Sequence, residues 1–150
     1  MEVNCTLQAV LFSFLLIVAS VWDFRKRIIP DSICVLIALT ELIDFSPVNF
    51  WGILAALPLL IAALYKPRGL GGGDIKLTAA AGIVLGFWGC TGGLIFGLTA
   101  SLFFYLSVQT IRRIRKLEPQ KAAQTSLPMA PFLSLGFITI TILNIGGSIL

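Results

Sequence analysis

The sequence predicts an all-α fold, a polytopic membrane protein of six transmembrane helices with both termini outside. Three observations predict it. Hydrophobic residues make up 57% of the 150 and charged residues only 12%, with a mean hydropathy of +0.97, a balance that excludes an ordinary soluble domain. The apolar residues fall in runs without the in-and-out alternation over about ten residues that a membrane barrel needs, so helices with internally satisfied backbones cross the bilayer. The basic residues are confined to three of the connections between those runs, a separation that sets topology.

The first apolar run, 6–22, is N-terminal and ends near Ala19-Ser20, in the manner of a secretory signal. Only Glu2 provides early charge, and a basic cluster follows the run, so it is read as a retained membrane helix. At about 1.5 Å per residue it reaches roughly 25 Å, close to the hydrocarbon thickness of a bilayer. Asp23 then stands at its far end, at the interface. In the connection 24–32, Pro30 discourages helix while Asp31 or Ser32 can cap the next one. The second run, 33–43, is short and needs its flanks, local thinning or burial among neighbours. It carries Glu41 and Asp44 at its outer end, before the turn at Ser46-Pro47. The third, 50–65, contains Pro58 as a kink site and leads through Lys66-Pro67-Arg68 to a glycine-rich turn. The fourth and fifth, 77–88 and 89–110, carry Gly82 and Gly86, then Gly89, Gly93 and Gly97, at a spacing that lets helices pack closely where lipid supplies no hydrophobic drive. A polar, basic stretch follows, and the sixth helix runs from Pro128 or Pro131 to about 145.

All eleven Lys and Arg residues fall in the connections 23–32, 66–76 and 111–129, whereas Glu2, Glu41 and Asp44 lie on the opposite side. The basic side is therefore expected to be the cytoplasmic side of a plasma (inner) membrane. The net charge of +4 is explained by topology, and no nucleic-acid partner is inferred from it. The chain has no His, which excludes Ser/His and Cys/His nucleophilic catalysis. Cys5, Cys34 and Cys90 lie in or beside apolar runs without CxxC spacing, so they read as small packers, and neither a metal site nor a cofactor is expected.

The stretch Gly69-Leu70-Gly71-Gly72-Gly73-Asp74-Ile75-Lys76-Leu77 delivers one carboxylate to the start of an apolar helix. Glycines there allow left-handed backbone or the close approach of another segment. In a soluble protein the same stretch would read as an ordinary helix entry, and either aspartate alone as a solvated boundary marker. Together, Asp23 and Asp74 are predicted on one face at one depth. Two facing carboxylates cannot both ionise easily, so they share a proton and offer a general acid and a general base at once. Activation of water between them is the simplest hydrolytic chemistry this composition allows. Helix dipoles favour an ionised Asp74 at a helix start and a protonated Asp23 at a helix end, each by about 0.3–1 kcal/mol, which puts the shared proton mainly on Asp23 and leaves Asp74 as base. Arg25, Lys26 and Arg27 oppose that assignment. Lys76 is a contact for substrate, a tuner of the pair, or a lysine that snorkels to the interface.

The pattern Asp23-x-Arg25-x-x-x-Ile29-Pro30, then Gly71-Gly72-Gly73-Asp74-x-Lys76, then Pro128-x-x-Pro131-Phe132-Leu133, resembles the type IV prepilin peptidases, membrane aspartic proteases of the GxGD kind. The resemblance covers nearly the whole chain. It implies that Asp23 and Asp74 are the catalytic pair; beside them Gly71, Gly72 and Gly73 are read as the supporting loop, and Arg25 and Lys76 as candidate substrate or electrostatic contacts. The resemblance implies a substrate too: the leader of prepilins or related pseudopilins held in the lipid bilayer, cut on the cytoplasmic side, with pilus or secretion machinery nearby. Many members carry an N-terminal extension with paired CxxC motifs and N-methylate the trimmed pilin. This sequence is similar to the short peptidase-only members, a single domain over 1–150 without a separate methyltransferase domain. Where members often have Asn after Ile-Pro, this sequence has Asp31, expected to cap a helix. Two further readings stand beside this one: a GxGD protease with other substrates, such as cleared signal peptides, and a small proton-coupled transporter.

Overall fold

The computed structural model describes residues 2–26, 28–65, 71–114 and 129–149. Arg27, the connection 66–70 and the basic stretch 115–127 with Pro128 lie outside them. Every regular element among the described residues is helical: α1 (Glu2–Lys26), α2 (Asp31–Leu39), two 3-10 segments (Thr40–Ile43 and Pro47–Ala56), α3 (Leu57–Tyr65), α4 (Gly72–Ile114) and α5 (Ala130–Ile149). Three helices are long and apolar enough to cross a membrane, Val3–Lys26, Pro47–Tyr65 and Gly72–Ile111, and Ala130–Ile145 is a shorter apolar helix.

Helix α1 extends beyond the predicted run at both ends. No breaker occurs before Pro30, and Arg25 and Lys26 occupy its last turn, where cations suit the negative end of the helix dipole. Pro30 then starts α2 from an extended conformation (φ −67°, ψ 137°), and neither Asp31 nor Ser32 makes the capping hydrogen bond expected of them. Asp31 stands instead in the first turn of α2. Pro58 falls just past the point where the 3-10 segment becomes α3, a change of helix type where a kink in one α-helix was expected. Proline is tolerated in a first helical turn because an N–H there has no partner within the helix.

Helix α4 is two helices in one. At Gly86 the backbone adopts φ 69° and ψ 176°, and the Cys90 thiol donates to the Thr78 carbonyl at 3.5 Å across twelve residues. A straight helix would separate those positions by about 18 Å, so the arms 72–85 and 87–114 double back on each other. The turn therefore comes at Gly86, slightly ahead of the expected boundary. Gly86 alone among the described glycines has a positive φ, a conformation that costs glycine little and other residues more.

The remaining glycines act by close packing. A Cβ on Gly82 would run into the Gly52 carbonyl where α4 meets the second 3-10 segment, and one on Gly136 would run into Gly93, where α5 crosses the second arm. These contacts meet the expectation that small residues set helix approach. Between them runs a core that includes Phe12, Leu16, Ile37, Leu77, Leu133 and Phe137, each 2% exposed or less. Outward faces carry Phe14, Ile17, Trp51, Leu64 and Phe103, all exposed, an apolar surface suited to lipid.

The polar groups collect at two ends. At one, Glu41 is only 2% exposed and accepts hydrogen bonds from Gln8 Nε2 (2.9 Å), Asn49 Nδ2 (3.0 Å) and the Ser46 N–H (3.1 Å). At the other stand Asp23, Asp31, Asp74 and Lys76. Helices α1 and α4, which carry Asp23 and Asp74, make no close backbone contact among the described residues; both pack on α2 and on α5.

Candidate active site

Asp23 lies in the last part of α1, and Asp74 is the third residue of α4. They are 8% and 7% exposed. Both line a cavity of about 300 Å³ whose other walls come from Ile28, Ile29 and Asp31 on one side and from Gly71, Gly72, Gly73 and Lys76 on the other. That volume lies at the lower end of the range for small ligand sites. The structure thus brings together the two aspartates that the sequence paired, although 51 positions separate them.

Of the two roles expected of the glycine run, left-handed backbone and close approach, the structure shows the second. Gly72 and Gly73 belong to the first turn of α4, and only Gly71 precedes it. None has a left-handed backbone. At Gly73 the reason for glycine is space: a Cβ would stand 3.1 Å from Cβ of Ile29, a side chain that is 4% exposed. Gly71 accepts the Asp74 N–H at 3.1 Å, and its own Cβ would lie 3.2 Å from Asp74 Oδ2. A Cβ on Gly72 meets nothing within 4 Å, so packing does not explain that glycine.

Asp23 is held from a third helix. The Ala130 N–H, at the start of α5, donates to Asp23 Oδ2 at 3.3 Å. One turn into the bundle, Ser20 donates to Ser134 at 2.6 Å, and Ser134 bonds the Ala130 and Leu16 carbonyls at 2.7 and 3.2 Å. This seam docks α5 onto α1 directly behind Asp23. Asp23 therefore stands at the end of one helix and at the start of another. The dipole contrast with Asp74, drawn from α1 alone, is correspondingly weakened, and the placement of the proton on Asp23 loses its footing. No sequence signal links Ser20 to Ser134, which are more than a hundred residues apart.

The two aspartates interact electrostatically. Charges of like sign that face one another favour a single proton held between the carboxylates. Such a pair can take a proton from water with one oxygen and give one to a substrate oxygen with the other. Lys76 does not point free into solvent: its Nζ contacts both Asp31 oxygens at 2.7 and 2.8 Å. Arg25 is exposed and does not line the cavity, while Lys26 stands over the Trp22 ring at 4.9 Å. Among the described residues no group of three or more His, Cys, Asp or Glu is arranged to hold a metal ion.

Fold and site together define a class, a chain whose described elements are all helical and rich in apolar surface, with paired buried aspartates on one shared cavity. Residues 10–109 match the model of the type IV leader peptidase family, and the chain belongs to that family. It is 33% identical over 140 residues to the prepilin leader peptidase/N-methyltransferase of Bacillus subtilis (strain 168). The match covers 87% of this chain and 53% of that protein, so the chain spans about half the length of this curated relative. No solved structure matches it.

Proposed function

We propose that the chain is an aspartic endopeptidase that removes the leader of prepilin-like proteins at the cytoplasmic face of the plasma (inner) membrane. The observation that carries this reading is the pair of buried carboxylates, Asp23 and Asp74, on two different helices but on the same cavity. Family membership supports the substrate class: prepilins or pseudopilins held in the lipid bilayer, close to pilus or secretion machinery.

In this mechanism a peptide enters the cavity with its scissile carbonyl between the aspartates. The ionised carboxylate of the pair takes a proton from the attacking water. The protonated one gives its proton to the carbonyl oxygen, forming a tetrahedral intermediate. The newly protonated carboxylate then gives its proton to the departing nitrogen while the other takes one from a hydroxyl of the intermediate, so the C–N bond breaks, the carbonyl re-forms and the pair is again singly protonated. Neither a cofactor nor a metal enters these steps. The described residues supply peptide-bond hydrolysis by this route, and methyl transfer forms no part of the proposal.

The six-helix membrane arrangement belongs to the same reading. It takes α1, α2 with its 3-10 extension, the 3-10 segment with α3, the two arms of α4, and α5 as the six spans, with both termini outside and the aspartates at the cytoplasmic ends. Asp23 and Asp74 meet at one end of the bundle, away from the depth where transporters keep their binding sites, which favours the peptidase over the transporter.

The direct test is cleavage of a purified pilin-type precursor by the protein reconstituted in lipid, beside Asp23→Asn and Asp74→Asn variants of unchanged thermal stability. Cleavage by the parent and its loss in both variants is the expected outcome. Variants that cut as the parent does would remove the aspartate pair from the chemistry.

A further inference from the structure

We propose that Asp31 is a positioning residue for the aspartate pair: its ion pair with Lys76 straps the start of α2 to the start of α4 across the cavity rim and so holds Asp23 and Asp74 at their working separation. The proposal rests on the reading of those two aspartates as the catalytic pair.

Four observations carry it. First, α1 and α4 do not pack closely on each other, so the spacing of the two carboxylates is set through intermediaries. Helix α5 provides one, through the Ala130 N–H and the Ser20–Ser134 contact with α1 and through the glycine crossing with α4. Helix α2, joined to α1 by a short connection, provides the other. Second, at the cavity the α2 side meets α4 at two neighbouring places, two residues apart on one segment and three on the other: Ile29 seated on Gly73, and Asp31 paired with Lys76. Third, Asp31 is not occupied by its own helix, since the start of α2 has no side-chain cap, and its two oxygens both take the Lys76 ammonium. Fourth, Asp31 and Lys76 line the same cavity as the aspartates, and Lys76 follows Asp74 by two residues.

The partners are 71% and 56% exposed, and exposed ion pairs add little to folding stability. The strap therefore does not hold the fold together. Its effect falls on geometry, to which a reaction that needs two groups around one water is sensitive. The outcome is a loss of turnover with the fold and substrate affinity intact, and a sensitivity to salt, which screens exposed charges.

The test uses the full chain reconstituted in lipid with a pilin-type precursor. Asp31→Asn and Lys76→Met are each expected to lower kcat about twofold to fivefold at unchanged KM and unchanged thermal unfolding, on the scale of an exposed ion pair. The double variant should be no slower than either single one. Asp31→Glu, and the charge exchange Asp31→Lys with Lys76→Asp, should recover most of the loss. Added salt should slow the parent and leave Asp31→Asn unaffected. A readout independent of cleavage is the distance between spin labels at Phe24, which is 73% exposed, and at Gly72, where a side chain has open space: narrow in the parent, broadened by Asp31→Asn, narrow again in the exchanged pair. Unchanged kcat and unchanged distances in Asp31→Asn would overturn the proposal. So would a rise in KM at constant kcat, which would make Asp31 a substrate contact, or a charge exchange that recovers nothing. Should Asp23→Asn and Asp74→Asn cleave like the parent, the peptidase reading itself fails, while the distance measurement still decides whether the strap exists.

Discussion

The two ends of the molecule each bury carboxylates, in opposite ways. Glu41 sits among donors: an amide from α1, a second amide from the following 3-10 segment and the backbone N–H of Ser46 just before it take up its oxygens. Asp23 and Asp74 face a cavity and each other's charge. A buried acid surrounded by hydrogen-bond donors ties segments together and has little left with which to act on a substrate. Buried acids that repel one another beside open volume keep a proton in play, which is what acid-base chemistry requires. Burial alone would have ranked Glu41 above either aspartate as a functional residue. The surroundings reverse that ranking.

The comparison breaks most severely if the aspartates prove dispensable. Asp74→Asn and Asp23→Asn are each expected to reduce leader cleavage by about a thousandfold or more, since loss of a general acid or base removes a factor of 10²–10⁴; initial rates on a reconstituted precursor measure it. Next in size comes Gly136→Ala. Its Cβ would overlap the Gly93 backbone, neither side can yield as a flexible side chain does, and a stability loss of about 3 kcal/mol is expected from overpacking, read as a fall in the thermal unfolding midpoint in detergent.

Glu41→Ala sharpens the contrast directly. It strands the Gln8 and Asn49 amides in the interior, so stability should fall by about 1–3 kcal/mol, while cleavage per folded molecule stays at the parent level. A Glu41→Ala protein that folds normally yet fails to cleave would erase the distinction between the two ends. The smallest effect is expected from Gly73→Ala. The gain in helix propensity, about 1 kcal/mol, offsets the displacement of Ile29 by a few tenths of an ångström, leaving stability nearly unchanged. Because Ile29 forms a cavity wall, cleavage should nonetheless drop severalfold, measurable as a change in kcat/KM.

Much of this could be read in the residues beforehand. The helical class and the use of glycines for close packing rest on local patterns, and the pairing of Asp23 with Asp74 rests on the order of apolar and basic stretches along the chain. The misreadings share one cause. Asp31 is expected to cap α2 and instead reaches Lys76 on α4; Asp23 is expected to feel the end of α1 alone and also meets the start of α5. In each case a partner distant in sequence decided the outcome.

The sequence by itself determined which stretches are apolar enough to be helical and which side chains can carry a proton, because hydropathy and carboxylate chemistry act at the residue that bears them. Tertiary structure decided which of the buried acids was satisfied by hydrogen-bond donors and which face a cavity, and which lysine paired with which aspartate. Those outcomes depend on how helices cross, and the crossings are set by contacts such as Gly52 with Gly82 and Gly93 with Gly136, where backbones from distant parts of the chain meet with nothing between them.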